Sequence, residues 1–183
     1  MLLNSLSLLT SLGQSTPSII ETIFVSLIYF VYLILVKAGT PSCPFGWRQL
    51  KSYCYLMSSS IKTWHQAQGY CHAMKAQLVK INSLEENEFV LSLVKQRAPS
   101  LKQVWIGLMW DSSAKDFLWS DYSVPVYKNW APGEPNGKGR EPCAHMWTGQ
   151  TTHMPYWASG YWNDLPCAGH PKLPCGLVCK RLP

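Results

Sequence analysis

The sequence predicts an α+β domain over residues 39–183. Two segments with a helical spacing of apolar residues come first, and short strand-like segments joined by Gly, Pro and Asn follow from Val104 onward. All 7 cysteines lie in this part of the chain, at a density typical of disulfide-bonded proteins from an oxidising compartment. With 183 residues, 47% of them hydrophobic and 14% charged, the chain can bury a core, which excludes the disordered and fibrous classes.

Residues 1–38 are expected to form a signal peptide. The apolar run Ile23–Val36 would span about 21 Å as a helix, which is short of the ~30 Å hydrocarbon core of a membrane. Small residues follow at the spacing of a cleavage site before Gly39. We therefore expect secretion; the alternative is a signal anchor over residues 19–36 that leaves the following domain extracellular.

The segment 43–57 alternates apolar and polar residues around two cysteines, which predicts a β-hairpin. Serines at 58–60 are candidate N-caps for a first helix after the hairpin. The apolar residues at helical spacing in this helix are Trp64, Ala67, Cys71, Met74 and Leu78.

A second helix is predicted from residue 83 to the proline at 99. Ser83 and Glu86 have the spacing of a capping box, and Pro99 ends the pattern. The predicted strands that follow are residues 104–110, 117–121, 143–147, 161–165 and 176–182.

The net charge of +6 comes from scattered basic residues, and the longest basic run is Lys180-Arg181. Scattered charge of this kind is typical of a soluble basic surface. Since no motif of a DNA- or RNA-binding domain is present, we expect no nucleic-acid partner.

Several short motifs occur together in a fixed order, and each of them alone would be weak. They are "CPFGW", "WIGL", "LWSD", "NWAPGEPN" and "WNDLPC", with Cys71 between the first two motifs and Cys179 after the last. With these motifs the segment 43–183 resembles a C-type lectin-like carbohydrate-recognition domain of the long form. The resemblance implies two helices that flank two small antiparallel sheets, with a long loop between strands.

The resemblance also implies three disulfides: Cys43–Cys54, Cys71–Cys179 and Cys143–Cys167. Cys175 is then left over. It could replace Cys167 as the partner of Cys143, stay buried and unpaired, or link two chains into a homo-oligomer.

Five side chains carry the functional interpretation, and we call them the acid–amide cluster: Glu134, Asn136, Glu141, Asn163 and Asp164. They offer three carboxylates and two amides, which are hard oxygen donors that suit Ca²⁺ and suit zinc poorly. The resemblance implies that they bind Ca²⁺ and that the peptide bond before Pro135 is cis. We expect one principal Ca²⁺, because Gly137 and Pro142 cannot extend the set to a second site.

Such a site would bind sugar through two neighbouring hydroxyls, each held by one carboxylate and one amide. In the family that this segment resembles, the Glu-Pro-Asn order goes with mannose, N-acetylglucosamine, glucose or fucose, whose paired hydroxyls are equatorial. The predicted function is therefore a mannose-type Ca²⁺-dependent lectin, in innate recognition or agglutination of microbes. The alternative is a Ca²⁺-independent protein-binding domain of the same fold.

Two aromatic residues near the cluster, Tyr156 and Trp157, are candidates for stacking on a sugar, whereas Trp147 is expected in the core. Glu134 and Glu141 could form a glycosidase pair, but the other three cluster residues would then have no role. Because the cysteines are expected in disulfides, a thiol nucleophile is also disfavoured. We expect no enzymatic activity.

Overall fold

The computed structural model describes residues 18–37, 42–59, 63–150, 158–170 and 172–183. The chain divides into two compact units, residues 1–41 and 42–183. The first unit contains helix α1, Ile19–Lys37, which includes the apolar run. Within the described ranges, no helix combines the length and apolar character needed to cross a membrane. Whether the segment is cleaved or retained stays a prediction.

The second unit begins with the predicted hairpin. Strands β1, Arg48–Leu50, and β2, Tyr53–Ser58, pair antiparallel. Lys51 in the turn between them has a φ of 52°. The hairpin prediction is confirmed.

Helix α2 covers Trp64–Ala73, and its start and end differ from the prediction. Thr63, not a serine, is the N-cap, and it forms a reciprocal capping box with Gln66. The helix ends because Lys75 turns to a φ of 52°. Leu78 therefore lies in strand β3, Gln77–Leu78, where it is still buried.

Helix α3 covers Leu84–Arg97 and begins at the predicted cap, Ser83, whose hydroxyl accepts from the Glu86 N–H at 3.2 Å. The reciprocal half of the predicted box is replaced. Glu86 is 6% exposed, and its carboxylate accepts from the Asn82 N–H and the Tyr55 hydroxyl and pairs with Lys180. The buried Glu86 carboxylate therefore connects α3 to strands of the sheet.

The remaining strands are β4, Gln103–Asp111; β5, Asp116–Trp119; β6, Cys143–Trp147; β7, Trp162–Leu165; and β8, Cys175–Arg181. They match the predicted strand segments. Two antiparallel groups form, β1-β2-β8-β3 and β5-β4-β6-β7. Parallel pairing of β4 with β8 joins the groups, so that the described strands form one eight-stranded sheet.

Three disulfides staple this domain, in the pairs that the resemblance implies: Cys43–Cys54, Cys71–Cys179 and Cys143–Cys167. The second joins α2 to β8, and the third joins the start of β6 to the segment after β7. Cys175 is unpaired and 3% exposed, packed in the core near Trp105. A thiol buried in this way cannot reach a second chain without local opening, so the interchain alternative has no structural support.

Candidate functional site

The cluster residues come from two segments, the long loop between β5 and β6 and the strand β7. Backbone hydrogen bonds fasten the loop to β7: the Trp162 N–H donates to the Asn129 carbonyl at 2.7 Å, and the Ala131 N–H donates to the Trp162 carbonyl at 2.8 Å. The Cys143–Cys167 bridge also links the start of β6 to the segment that follows β7. Residues far apart in sequence are thereby held next to one another.

Asn87 on α3 fixes the start of β7. Its Nδ2 donates to the Gly160 carbonyl at 3.0 Å, and its Oδ1 accepts from the Trp162 indole at 2.8 Å. Asn129 from the long loop donates to the same Gly160 carbonyl at 2.8 Å. The side chains of Asn87 and Asn129 therefore hold the start of β7 in place next to the long loop.

Asp164 is the structural centre of the cluster and is fully buried. Its Oδ1 accepts from the Asn136 N–H at 3.0 Å, and its Oδ2 accepts from the Gly137 and Lys138 N–H groups at 2.8 and 2.9 Å. A carboxylate has about four lone-pair sites, and three of them are used here. Asp164 thus shapes the turn that follows Pro135.

Glu134 and Asn136 flank Pro135, and the Glu134–Pro135 peptide bond is cis. The Asn136 side-chain Nδ2 donates to Glu134 Oε1 at 3.0 Å, so the two side chains lie together. Burial, and then the hydrogen bond and negative charge of Asp164, raise the pKa of Glu134 to about 7. Without a cation, Glu134 therefore keeps its proton to a higher pH than an exposed glutamate does.

Glu141 approaches from the other end of the loop, after a 3-10 turn over Lys138–Arg140. Its side chain lies over Gly137, where a Cβ would come within 2.5 Å of Glu141 Oε2. Burial and repulsion from Asp164 raise the pKa of Glu141, and the positive charge of Arg140 opposes them. None of the salt bridges between described residues includes a cluster carboxylate.

Asn163 contacts a histidine on the neighbouring strand, His145. The Asn163 Nδ2 lies 3.1 Å from Nε2 of His145 and also contacts the Asp164 carbonyl. His145 is fully buried, and burial lowers its pKa to about 3. The sequence alone offered no signal for this contact, because it depends on the register of β6 against β7.

The donor set fits a hard divalent cation. Glu134, Glu141 and Asp164 form no salt bridge with a described residue. Burial first, and then Asp164, raise the pKa values of Glu134 and Glu141, and a bound cation would favour the charged form of both. As they stand, no three His, Cys, Asp or Glu side chains of the described residues are grouped closely enough to hold a metal. The amides of Asn136 and Asn163 would have to complete the set.

The two predicted stacking residues, Tyr156 and Trp157, lie outside the described residues. Trp147 is 8% exposed and packs edge-on against His145, with ring centroids 4.5 Å apart, which agrees with a core role. Asp111 accepts from the Ser113 and Ala114 N–H groups and so caps a turn.

Comparison with known proteins adds to this geometry. The family model for the Lectin C-type domain matches residues 60–181. The chain belongs to the C-type lectin domain family. Its members are non-enzymatic binding domains, so this C-type lectin domain protein is not an enzyme.

Individual relatives and solved structures are similar to this chain over most of its length. A perlucin-like protein of Mytilus galloprovincialis is 31% identical over 159 residues, which cover 85% of this chain and 94% of the relative. The cow CD23 carbohydrate-recognition domain, solved in the presence of a GlcNAc2Man3 oligosaccharide, is 34% identical with a TM-score of 0.63, over 78% of this chain and 97% of that one. A calcium-independent type II antifreeze protein is 25% identical with a TM-score of 0.61, over 77% and 95%. Because a calcium-independent protein has this fold, the fold alone does not determine whether this C-type lectin domain binds calcium.

Proposed function

We propose that this protein is a calcium-dependent lectin for glycans of the mannose, N-acetylglucosamine and fucose type. The observation that carries the proposal is that Glu134, Glu141 and Asp164 lie close enough for Asp164 to raise the pKa of both glutamates, while none of the three forms a salt bridge with a described residue. Burial, and then the hydrogen bond and negative charge of Asp164, raise the pKa of Glu134 to about 7, and no salt bridge from a described residue neutralises the charge of the cluster. A divalent cation supplies that neutralisation and supplies coordination positions for sugar hydroxyls.

The cluster residues would recognise two neighbouring hydroxyls. Glu134 accepts and Asn136 donates on one side of the site, and Glu141 accepts and Asn163 donates on the other. Each hydroxyl can satisfy one such pair, since it has one donor and two acceptor sites. Equatorial neighbouring hydroxyls suit this arrangement, and the Glu-Pro-Asn order supports them over galactose.

Asp164 has a different part in this proposal. Three of its acceptor sites are taken by backbone N–H groups, so it shapes the loop and offers few lone pairs to a ligand. Its negative charge still adds to the attraction for a cation. We assign the sugar contacts to the other four residues.

We also propose that the domain acts outside the cell, as a secreted protein that recognises or agglutinates microbial glycans. Three disulfides support an oxidising compartment. A single shallow sugar site binds weakly, so useful strength would come from several sites acting together.

The second candidate is a calcium-independent protein-binding domain. The hydrogen bonds of Asp164 favour it, because they hold the loop in shape without a cation. The calcium-independent antifreeze protein provides a precedent for the fold. This candidate leaves the raised pKa values of Glu134 and Glu141 without a function.

Affinity chromatography separates the two candidates. The lectin should be retained on mannose-agarose with calcium and released by EDTA, whereas the protein-binding domain should pass through. The matched variant is Glu134→Gln with Asn136→Asp, which should move retention from mannose-agarose to galactose-agarose. Unchanged mannose selectivity in that variant would argue against the assigned hydroxyl contacts.

A further inference from the structure

A groove of about 780 Å³ is lined by residues from the end of α2 and from strands β2, β3 and β8. Its volume lies within the range of about 300–1,000 Å³ that is typical of ligand sites. None of the residues that line it belongs to the acid–amide cluster, so the groove is a separate feature of the domain.

Positive charge exceeds negative charge along this groove. Its lining includes four basic side chains and one acidic side chain: Lys75, Lys80, Lys180, Arg181 and Asp121. Lys80 pairs with Asp121 at 2.9 Å, and Lys180 pairs with the buried Glu86. The other two basic residues, Lys75 and Arg181, form no ion pair with a described residue. Two positive charges of the groove are therefore left without a partner.

Arg181 is held in place and still has donors to offer. Its Cζ lies 5.5 Å from the centroid of the Trp47 ring. Its Nε donates to the Leu182 carbonyl at 3.0 Å, and its Nη1 donates to the Met74 carbonyl at 3.3 Å. A guanidinium has five N–H groups, so three remain without an acceptor among the described residues. Such a fork of N–H groups matches the oxygens of an oxyanion.

Lys75 lies next to this guanidinium, since Arg181 donates to the residue directly before it. The backbone of Lys75 is fixed at a φ of 52°, and its N–H donates to the His72 carbonyl at 2.9 Å. The Lys75 side chain is exposed and forms no hydrogen bond with a described residue. Two unpaired cations so close together repel each other, and an anion between them would relieve that repulsion.

The groove also offers apolar contact. Tyr53 is 41% exposed and Leu182 is 60% exposed, and both line it. An aromatic ring beside cationic groups suits a ligand that has flat, partly apolar rings and carries anions. A polysaccharide chain with sulfate groups has both properties.

We propose that this groove binds a sulfated polysaccharide, with a sulfate group held between Arg181 and Lys75. The site uses no calcium and none of the acid–amide cluster, so it goes beyond the proposed function and does not depend on it. The three disulfides support an oxidising compartment, which favours a polysaccharide over a nucleic acid as the polyanion.

Calorimetry with heparin, a sulfated polysaccharide, tests the proposal in EDTA. At about 0.15 M salt, exposed charges more than about 8 Å apart are largely screened, so the groove should dominate binding. The double variant Lys75→Gln with Arg181→Gln should raise the heparin dissociation constant by at least about tenfold. The matched control is Lys95→Gln with Arg97→Gln, which removes the same charge from exposed residues of α3 outside the groove.

The control should bind heparin within about threefold of wild type. Equal losses in the two double variants would overturn the proposal, because binding would then follow net charge alone. Absence of heparin binding by the wild-type protein in EDTA would also overturn it. A DNA duplex that binds the groove as tightly as heparin would contradict the assignment to a polysaccharide.

The single variant Lys75→Gln keeps the test valid if loss of the Arg181 contacts weakens folding. It should melt at the wild-type temperature in EDTA, bind heparin about two- to fivefold more weakly, and lose affinity less steeply as salt rises. Wild-type heparin affinity in this folded variant would count against the site. Retention of both double variants on mannose-agarose reports on the acid–amide cluster alone, so a failed calcium function and a failed groove are told apart.

Discussion

Replacement of Asp164 by asparagine should destabilise the domain even without calcium. The substitution keeps the shape of the side chain but replaces one acceptor oxygen by an NH₂ group. If the amide oxygen takes the place of Oδ2, the bonds to Gly137 and Lys138 survive and the one to Asn136 is lost; the opposite orientation loses two bonds. In either orientation an NH₂ group faces a backbone N–H.

The size of the effect follows from these contacts. A hydrogen bond to a charged group contributes about 1.5–3 kcal/mol, and a neutral acceptor gives less. Asp164 is fully buried, so solvent does not screen the loss. Relief of repulsion from Glu134 and Glu141 offsets part of it. We expect a net loss of about 2–4 kcal/mol in the free energy of unfolding.

Urea unfolding in EDTA measures this loss. The matched control is Glu141→Gln, which removes a cluster carboxylate that accepts no hydrogen bond from a described residue. The control should unfold at the wild-type urea concentration or slightly above it, since it removes repulsion. Equal stability of Asp164→Asn and wild type in EDTA would refute the structural role of Asp164.

Three further predictions concern other parts of the domain. Between about pH 4.5 and 7, Glu134 holds a proton in the folded protein that it has lost in the unfolded chain. In EDTA, the melting temperature of the wild-type protein should therefore fall as the pH rises through this range. The same fall in a Glu134→Gln variant would contradict this prediction. Gly137→Ala should weaken calcium binding by at least about tenfold, because its Cβ would displace the carboxylate side chain above it. Gly139→Ala, whose Cβ would make only an ordinary contact 3.5 Å from an indole, should leave the calcium affinity unchanged in the same calorimetric titration. Glu86→Gln should lower the free energy of unfolding in urea by about 3–5 kcal/mol, because it breaks the buried ion pair with Lys180. Glu85→Gln, which breaks an exposed ion pair, should lower it by under about 1 kcal/mol. Equal losses would contradict the difference in burial between the two pairs.

Much of the fold could be predicted because local chemistry agrees with the final structure. Ser83 caps α3 because its hydroxyl accepts from a nearby backbone N–H, which depends only on sequence spacing. Leu78 could not be placed in the same way. Its helical spacing from Cys71 reports burial and not the backbone path, and the turn at Lys75 moves it into β3 while leaving it in the core.

The candidate site was predictable where motif order carried the information. The acid–amide cluster was chosen from residues in two segments, and the structure brings those segments together through Asp164 and the adjoining backbone. The contact between His145 and Asn163 could not be predicted, because it depends on a cross-strand register that one sequence does not specify. The contacts of the Glu86 carboxylate with Tyr55 and Lys180 could not be predicted for a related reason, since these residues lie on strands distant in sequence.

Titration of calcium into the disulfide-bonded protein at neutral pH tests the central claim most directly. Calorimetry in two buffers of different ionisation enthalpy would measure both uptake and the protons released. The account predicts one calcium ion per chain, with release of part of a proton from Glu134, whose pKa lies near 7 in the metal-free state. No calcium uptake at about millimolar concentrations, which is the weak end of extracellular calcium sites, would contradict it.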